Sequence, residues 1–372
     1  MRIGFDAKRL YNNFTGLGNH SRTTIEILTA EFPDEEYYLY TTKVTDNTVT
    51  YPFLHKEHCH TVMPSGAMKG SLWRTLGIVD NLKKDSIELF HGLSNEIPVG
   101  ISKTEIASVV TIHDVAFKTF PDMYHGLDRI VYDRKWDYAC KHADHIIAIS
   151  ECTKNDIIKF YGVPEEKISV LYQPVNPIYY NEGEKETDVA TDKPYMLYVG
   201  SINSRKNLLG IVKAMEMLPG DLQIPLVIVG NGGAYKQRVQ QYIADHNMEK
   251  RFIWKQIIDN RELKKLYAGA SLFVYPSFYE GFGLPVVEAL LCGCPVVTSN
   301  VSSLPEAAGP ASIQIDPNDT RAIADGMEKA LTDSGLRKRM IEEGRRYAMD
   351  SFHPTVLAQK LMDIYKVTLG KK

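Results

Sequence analysis

The chain has 372 residues, of which 44% are hydrophobic and 24% charged, and its length and balance indicate a globular protein of two domains. A formal net charge of −3 excludes the strongly cationic field typical of proteins that bind nucleic acid. Three features predict a cytoplasmic chain. The five cysteines have no framework spacing, and the N-terminus indicates a strand rather than a signal peptide. No apolar stretch reaches the ~18 residues that a spanning helix needs.

Short apolar runs alternate with amphipathic segments along the whole chain. The runs that predict strands are Arg2–Phe5, Tyr37–Tyr40, Leu89–Phe90, Ser108–Ile112, His145–Ile149, Tyr195–Val199, Leu226–Val229, Phe252–Trp254, Leu272–Tyr275 and Pro295–Ser299. The segments that predict helices in the first half are Asn19–Glu31, Leu127–His142 and Thr153–Tyr161. Near-continuous apolar strands are typical of parallel sheets covered on both faces, so the pattern predicts an α/β protein with two doubly wound domains.

The segment Gln173–Pro194, with Pro174, Pro177 and an acidic polar run, indicates a linker between residues 1–175 and residues 176–351. The tail, Phe352–Lys372, predicts a helix that either caps the second domain or returns to the first. Two interpretations also stay open for Ser71–Lys84, whose apolar and basic residues fit either an ordinary amphipathic helix or a peripheral contact with an anionic membrane.

Ligands of open α/β sheets bind beyond the carboxyl ends of the strands, so the loops there are the candidate sites. The first, Tyr11–His20, contains Gly16 and Gly18, which let backbone amides approach an anion, and a ligand-facing loop is favoured over a plain turn. His113 directly follows an apolar strand, where it fits a substrate contact and a structural histidine equally well.

The loop Gly200–Asn207 follows the first strand of the second domain and opens a helix at Leu208. It carries the adjacent cations Arg205 and Lys206. A helix N-terminus disfavours cations unless an anion offsets them, so this loop predicts a phosphate site.

The segment Ser277–Glu288 combines a glycine-rich turn, a helix start near Pro285, and the carboxylates of Glu280 and Glu288. Paired carboxylates would also suit a glycoside hydrolase, but the cationic loop favours a phosphate-bearing sugar donor. Because the chain has no Asp-x-Asp pair, we expect no metal ion on the diphosphate, with protein cations and helix dipoles stabilising the leaving group.

These residues resemble those of a known family. Tyr279–Pro285, with Glu288 and Cys292–Val297, resembles the signature of the retaining glycosyltransferase family 4, whose two carboxylates form an E-x7-E motif. Further ordered matches are Asp6–Lys8, Gly16–Gly18, Ile146–Thr153, Leu304–Glu306 and Asp316–Pro317. The loop Gly200–Asn207 is similar to that of the mannosyltransferase-like branch.

The resemblance implies the GT-B architecture, in which two Rossmann-like domains face each other across a cleft. The N-terminal domain then binds the acceptor, the C-terminal domain binds the donor, and the tail helix crosses back to the first domain. The resemblance also implies retention of the anomeric configuration without an essential metal or other cofactor.

The resemblance assigns a role to each matched site residue. In the donor-binding domain, Arg205 and Lys206 bind the donor diphosphate and Glu288 binds the ribose. Glu280 holds the sugar hydroxyls together with the amides of Phe282, Gly283 and Leu284. In the first domain, His113 contacts the transferred sugar, and Gly16 and Gly18 border the phosphate and acceptor.

The function that we infer is transfer of a hexose, foremost mannose from GDP-mannose, to a glycan or lipid-linked saccharide in surface polysaccharide synthesis at the inner face of the membrane. A UDP-hexose donor is the first alternative. A nucleotide-sugar epimerase, a phosphorylase and a non-catalytic carbohydrate-binding protein are the others.

Overall fold

The computed structural model describes residues 1–65, 68, 70–181, 194–222, 224–256 and 259–372. The described residues form two compact units. Unit 1 comprises Met1–Pro174 together with Pro354–Lys372, and unit 2 comprises Val175–His353. Most of the predicted linker, residues 182–193, lies outside the described residues.

Unit 1 is built on a parallel sheet of seven described strands in the order β3-β2-β1-β4-β5-β6-β7. The strands are β1 (Arg2–Asp6), β2 (Glu36–Tyr40), β3 (Cys59–Val62), β4 (Leu89–Gly92), β5 (Ala107–Ile112), β6 (His145–Ala148) and β7 (Ile168–Val170). The helices are α1 (Lys8–Asn12), α2 (Gly16–Glu31), α3 (Tyr51–Leu54), α4 (Gly70–Leu72), α5 (Ile78–Lys84), α6 (Ala116–Thr119), α7 (Gly126–His142) and α8 (Glu151–Tyr161).

Unit 2 is built on a parallel sheet of six described strands in the order β10-β9-β8-β11-β12-β13. The strands are β8 (Met196–Val199), β9 (Leu226–Val229), β10 (Phe252–Lys255), β11 (Leu272–Tyr275), β12 (Val296–Ser299) and β13 (Ile313–Ile315). The helices are α9 (Leu208–Glu216), α10 (Ala234–Asp245), α11 (Asn260–Gly269), α12 (Leu284–Leu291), α13 (Leu304–Ala308), α14 (Thr320–Thr332) and α15 (Ser334–Phe352).

The last helix, α16 (Pro354–Leu369), packs in the core of unit 1. Leu357, Leu361 and Tyr365 recur every four residues, so they form one buried stripe. The hydroxyl of Tyr365 lies 2.6 Å from Nδ1 of His91 on β4. The tail helix is therefore tied to unit 1 by apolar packing and by a buried hydrogen bond.

Each sheet has one point at which the strand order reverses direction. In unit 1 this switch point lies between β1 and β4, and in unit 2 it lies between β8 and β11. Connections on the two sides of such a point leave toward opposite faces, which opens a crevice at the carboxyl ends of the two strands. The loops after these four strands are therefore the places where a ligand fits.

The predicted α/β class with two doubly wound domains is confirmed, and so are the ten predicted strands. The short strands β3, β7 and β13 were not predicted. The structure also corrects two segments. Helix α2 begins at Gly16 rather than Asn19, and Ser71–Lys84 is interrupted by a π-helical turn, Trp73–Gly77. No helix in the described part of the chain is long and apolar enough to cross a bilayer.

Candidate active site

The cationic loop of unit 2 follows β8 and is fixed by two asparagine side chains. Oδ1 of Asn203 accepts a hydrogen bond from the amide of Lys206 at 3.2 Å. Asn207 takes a left-handed conformation with φ of 55°, and its Oδ1 accepts from the amide of Gly210 at 3.2 Å. Asparagine is one of the few residues that tolerate this conformation, so it can end the turn of Ser204–Lys206 and start α9 at once.

Arg205 and Lys206 both contact Glu280, which lies in the loop after β11. The ammonium of Lys206 pairs with Oε1 of Glu280, and Nη1 of Arg205 lies 3.1 Å from Oε2. Arg205 also donates to the carbonyl oxygen of Tyr279. The loops on both sides of the unit 2 switch point are thus joined by an ion cluster of two cations and one carboxylate.

Two hydroxyls complete the environment of the Glu280 carboxylate. Ser277 donates to Oε1 at 2.6 Å, and Tyr275 donates to the same oxygen at 3.1 Å. Burial alone would raise the pKa of Glu280, but the charges of Lys206 and Arg205 outweigh it and lower that pKa to about 2. Glu280 is therefore ionised at neutral pH, and the cluster carries one net positive charge at a switch point.

The turn between Glu280 and α12 is held by hydroxyls from the loop after β12. Ser303 donates to the carbonyl oxygens of Glu280 at 2.9 Å and of Phe282 at 2.8 Å. Gly283 has φ of +117°, and a Cβ there would lie 2.9 Å from Leu304, so the position requires glycine. Leu284 begins α12, Pro285 follows it without an N–H group, and the amide of Val286 donates to the carbonyl oxygen of Gly283 at 2.9 Å. The predicted site residues Phe282, Gly283 and Leu284 thus form a helix start beside the ion cluster.

Glu288 lies further along α12 in a different environment. Its Oε2 accepts a hydrogen bond from the hydroxyl of Tyr267 at 2.9 Å. Burial raises the pKa of Glu288 to about 7, against the lowering effect of that hydrogen bond. The two carboxylates of the E-x7-E motif therefore differ in charge state near neutral pH.

A second glycine-rich loop of unit 2 was not predicted as part of the site. Gly230, which directly follows β9, has φ of +153°, and a Cβ there would lie 1.9 Å from the carbonyl oxygen of Gly200. A Cβ at Gly232 would lie 2.2 Å from the carbonyl oxygen of Ile202. The loops after β8 and β9 therefore pack backbone against backbone. The signal in the sequence was Gly-x-Gly-Gly directly after an apolar strand.

His113 follows β5 in unit 1, and both of its ring nitrogens have partners there. Nε2 lies 2.8 Å from the carbonyl oxygen of Leu93, and Nδ1 lies 2.9 Å from Nε2 of Gln173. A carbonyl oxygen can only accept, so Nε2 carries the proton and Nδ1 accepts from the amide of Gln173. Burial lowers the pKa of His113, and the ring is neutral at physiological pH. His113 is held as a fixed neutral group rather than as a free base.

Gly16 and Gly18 lie in the first turn of α2. The amide of Gly18 donates to Oδ1 of Asn13 at 3.1 Å, and a Cβ at Gly18 would lie 1.7 Å from the carbonyl oxygen of Asn13. A Cβ at Gly16 would have nothing within 4 Å. Gly18 thus allows a close backbone approach within unit 1, whereas Gly16 faces open space.

No three His, Cys, Asp or Glu side chains come together as a metal site would require, within the described ranges of the chain. Of the predicted site residues, the structure brings Arg205, Lys206 and Glu280 into contact. Glu288 and the start of α12 lie in the same unit, and His113, Gly16 and Gly18 lie in unit 1.

Two doubly wound parallel units, one with a cationic cluster at its switch point, are typical of glycosyltransferases of the GT-B fold. Residues 24–178 match the family model "Glycosyltransferase Family 4", and residues 181–347 match "Glycosyl transferases group 1". The chain is 31% identical over 288 residues to O-antigen chain mannosyltransferase B of Escherichia coli, covering 74% of each protein. The chain belongs to glycosyltransferase family 4.

Solved structures agree with this fold. Sucrose-phosphate synthase from Thermosynechococcus elongatus matches with a TM-score of 0.81 at 21% identity over the full length of both chains. Anabaena HepE, solved in complex with UDP-glucose, matches with a TM-score of 0.77 at 17% identity over 99% of this chain and all of that one.

Proposed function

We propose that this glycosyltransferase moves mannose from GDP-mannose to a glycan or lipid-linked saccharide acceptor, with retention of anomeric configuration and without a metal ion. The relative from Escherichia coli supports mannose, because it is a mannosyltransferase of the O-antigen chain. Synthesis of a surface polysaccharide on the cytoplasmic side of the membrane is the setting that fits such a reaction.

The observation that carries the proposal is the cluster of Arg205, Lys206 and Glu280 at the unit 2 switch point. Two cations whose side chains are largely buried, held by asparagine-fixed backbone beside a helix start, suit a diphosphate. Cations in such a low-dielectric position stabilise negative charge more strongly than cations in water. They would take up the charge that develops on the leaving diphosphate, which is the task that a metal ion performs elsewhere.

The reaction that suits these residues is a front-face displacement. The bond between the anomeric carbon and the diphosphate oxygen breaks, and a bond to the acceptor oxygen forms on the same face. The proton of the acceptor hydroxyl passes to an oxygen of the departing phosphate, so no side chain has to act as a base. This accords with His113, whose ring is neutral and already bonded at both nitrogens.

Glu280 changes partners in this scheme. Without the donor, its carboxylate pairs with Arg205 and Lys206. When a diphosphate takes those cations, the carboxylate oxygens become able to accept hydrogen bonds from sugar hydroxyls. Glu288 would accept hydrogen bonds from the ribose on the other part of the donor, for which its ionised form is the better acceptor.

The experiment measures the thermal shift caused by GDP and UDP, and then transfer from the corresponding donors. We expect GDP to stabilise the wild type more than UDP does. Arg205→Gln with Lys206→Gln should abolish the shift and the transfer, whereas Lys250→Gln, at an exposed lysine of unit 2, should change neither. Wild-type turnover in the double variant would refute the assignment of the diphosphate site.

The double variant leaves the buried Glu280 without cations, and an uncompensated buried charge destabilises a fold. Adding Glu280→Gln removes that uncompensated charge, so the triple variant separates loss of donor binding from loss of folding. A larger thermal shift with UDP than with GDP would change the proposed donor from a guanosine to a uridine diphosphate sugar. Epimerised donor in the absence of acceptor, inverted product, or loss of transfer in EDTA would contradict the proposed reaction.

A further inference from the structure

Unit 1 has a cavity of about 200 Å³ at its own switch point. Asp6, the last residue of β1, and Glu96, in the loop after β4, both line it. Its apolar lining includes Phe90 and Tyr138. The cavity therefore lies where an open α/β sheet offers a binding crevice, and all of its lining residues belong to unit 1.

A buried arginine organises the charges in this cavity. Arg74 is 7% exposed and pairs with Asp6 through Nη1 and with Glu96 through Nη2. The charge of Asp6 raises the pKa of Arg74. Arg74 lies on the π-helical turn Trp73–Gly77, a type of irregular turn that is frequent at functional sites. Two carboxylates are thus held in fixed positions beside an open space.

Two further cations line the cavity from α7. Nζ of Lys135 lies 3.2 Å from Oε2 of Glu96 and is half-exposed. Arg134 is exposed and forms no ion pair with any residue that the structure describes. Together with Arg74, they give three cations against two carboxylates, so the lining of the cavity carries one net positive charge. The excess charge is on Arg134, where it can meet an anion from outside.

This combination of groups suits a sugar that carries a phosphate. Fixed carboxylates accept hydrogen bonds from sugar hydroxyls, and aromatic side chains such as Tyr138 pack on the apolar face of a pyranose ring. A volume of about 200 Å³ is below the roughly 300–1,000 Å³ of pockets that hold drug-sized ligands, which favours one ring over an oligosaccharide.

We propose that this cavity is an acceptor subsite, which binds a sugar ring beside Asp6 and Glu96 and an adjoining phosphate on Arg134 and Lys135. The inference rests on the proposed function, because a transferase needs an acceptor as well as a donor. The phosphate belongs either to a lipid-linked saccharide or to a free sugar phosphate. The exposed Leu127 and Val131 lie on the same face of α7 as Arg134. Apolar side chains beside the phosphate site favour the lipid-linked form.

The test uses the full chain, without nucleotide sugar, and three soluble probes: α-mannose 1-phosphate, methyl α-mannoside and inorganic phosphate. Ligand-observed NMR compares their affinities for the wild type, Arg134→Ala and the control Arg129→Ala, at an exposed arginine of the same helix that does not line the cavity. We expect mannose 1-phosphate to bind more tightly than either other probe. Loss of one charge-assisted contact in Arg134→Ala should weaken it roughly tenfold, and Arg129→Ala should not.

Equal affinity for inorganic phosphate and mannose 1-phosphate would overturn the sugar subsite, and so would unchanged affinity in Arg134→Ala. The thermal shift with GDP is measured on the same variants, and it distinguishes refutation of the sugar subsite from failure of the proposed function. If GDP stabilises every variant while mannose 1-phosphate fails to bind, the subsite is refuted and the donor site stands. If neither nucleoside diphosphate causes a shift, the proposed function itself fails.

Vesicles identify the source of the phosphate. Phosphatidylcholine vesicles with and without a polyprenyl phosphate mannose are added to the complex with mannose 1-phosphate. Displacement only by vesicles that contain this mannolipid assigns the site to a lipid-linked acceptor. Retention of the bound probe with both kinds of vesicle assigns it to a free sugar phosphate. Both results uphold the subsite.

Discussion

Replacing Glu288 by glutamine removes a carboxylate whose ionisation is opposed by the folded chain. The side chain lies beside Tyr267, and burial raises its pKa from an ordinary value of 4.5 to about 7. Because the folded state binds the proton more tightly than the unfolded state, this group stabilises the fold at low pH and loses that contribution as pH rises through 7. Glutamine stays neutral, and its amide oxygen can still accept the hydrogen bond from Tyr267.

The size of the effect follows from the shift in pKa. A difference of 2.5 between 4.5 and about 7 corresponds to about 3 kcal/mol at pH 8, where the carboxylate is ionised in both states. At pH 5 the group is protonated in the folded state and only partly ionised in the unfolded state, which leaves about 1 kcal/mol. These are upper values, because a half-buried group is partly screened by solvent.

Urea unfolding of the wild type and Glu288→Gln at pH 8 and pH 5, monitored without ligand, measures the effect. The variant should be the more stable protein, and its advantage should be larger at pH 8. Glu343→Gln, at an exposed glutamate on α15, controls for the general loss of a negative charge. An advantage of equal size at both pH values, or the same advantage in Glu343→Gln, would show that ionisation of Glu288 does not oppose folding.

Two further predictions concern unit 2. Glu280→Gln should bind GDP roughly tenfold more tightly in calorimetry, because the cluster loses its one negative charge. Transfer of the sugar should fall in the same variant. Unchanged or weaker GDP binding would contradict the exchange of partners that we propose. Gly230→Ala should lower the free energy of unfolding by about 2–4 kcal/mol and weaken GDP binding, because Cβ meets the carbonyl of Gly200. Gly220→Ala, where Cβ has nothing within 4 Å, is the matched control, and an equal loss in both variants would refute the packing argument.

The sequence was sufficient to predict the fold where local patterns decide the structure. The strands β8 and β9 are near-continuously apolar and fully buried, so their runs stand out from the segments around them. The strands β7 and β13 have only three residues each, are partly exposed, and lie at sheet edges, so no comparable run marks them. The start of α2 was placed too late because glycine is a poor helix former, whereas here Gly18 is required for its contact with Asn13.

Parts of the site were also predictable, since Arg205, Lys206 and Glu280 belong to loops that follow apolar strands. The partners of other charged side chains were not predictable, because they come from other elements of the chain. Tyr267, which contacts Glu288, lies on α11, and Arg74, which joins Asp6 to Glu96, lies 68 residues after its first partner. Nothing in the local spacing of these residues indicates that they meet.

The opposite pKa shifts of Glu280 and Glu288 limit the free-energy cost of burying charge at the proposed donor site. Arg205 and Lys206 would be costly to bury alone, and the Glu280 carboxylate neutralises one of their two charges. No cation among the described residues pairs with Glu288, and burial instead raises its pKa so that it holds its proton near neutral pH. The same motif therefore lowers the cost of buried charge in two ways, by ion pairing at one carboxylate and by protonation at the other. Donor binding should reverse both, because a diphosphate replaces Glu280 on the cations and ribose hydroxyls favour the ionised form of Glu288.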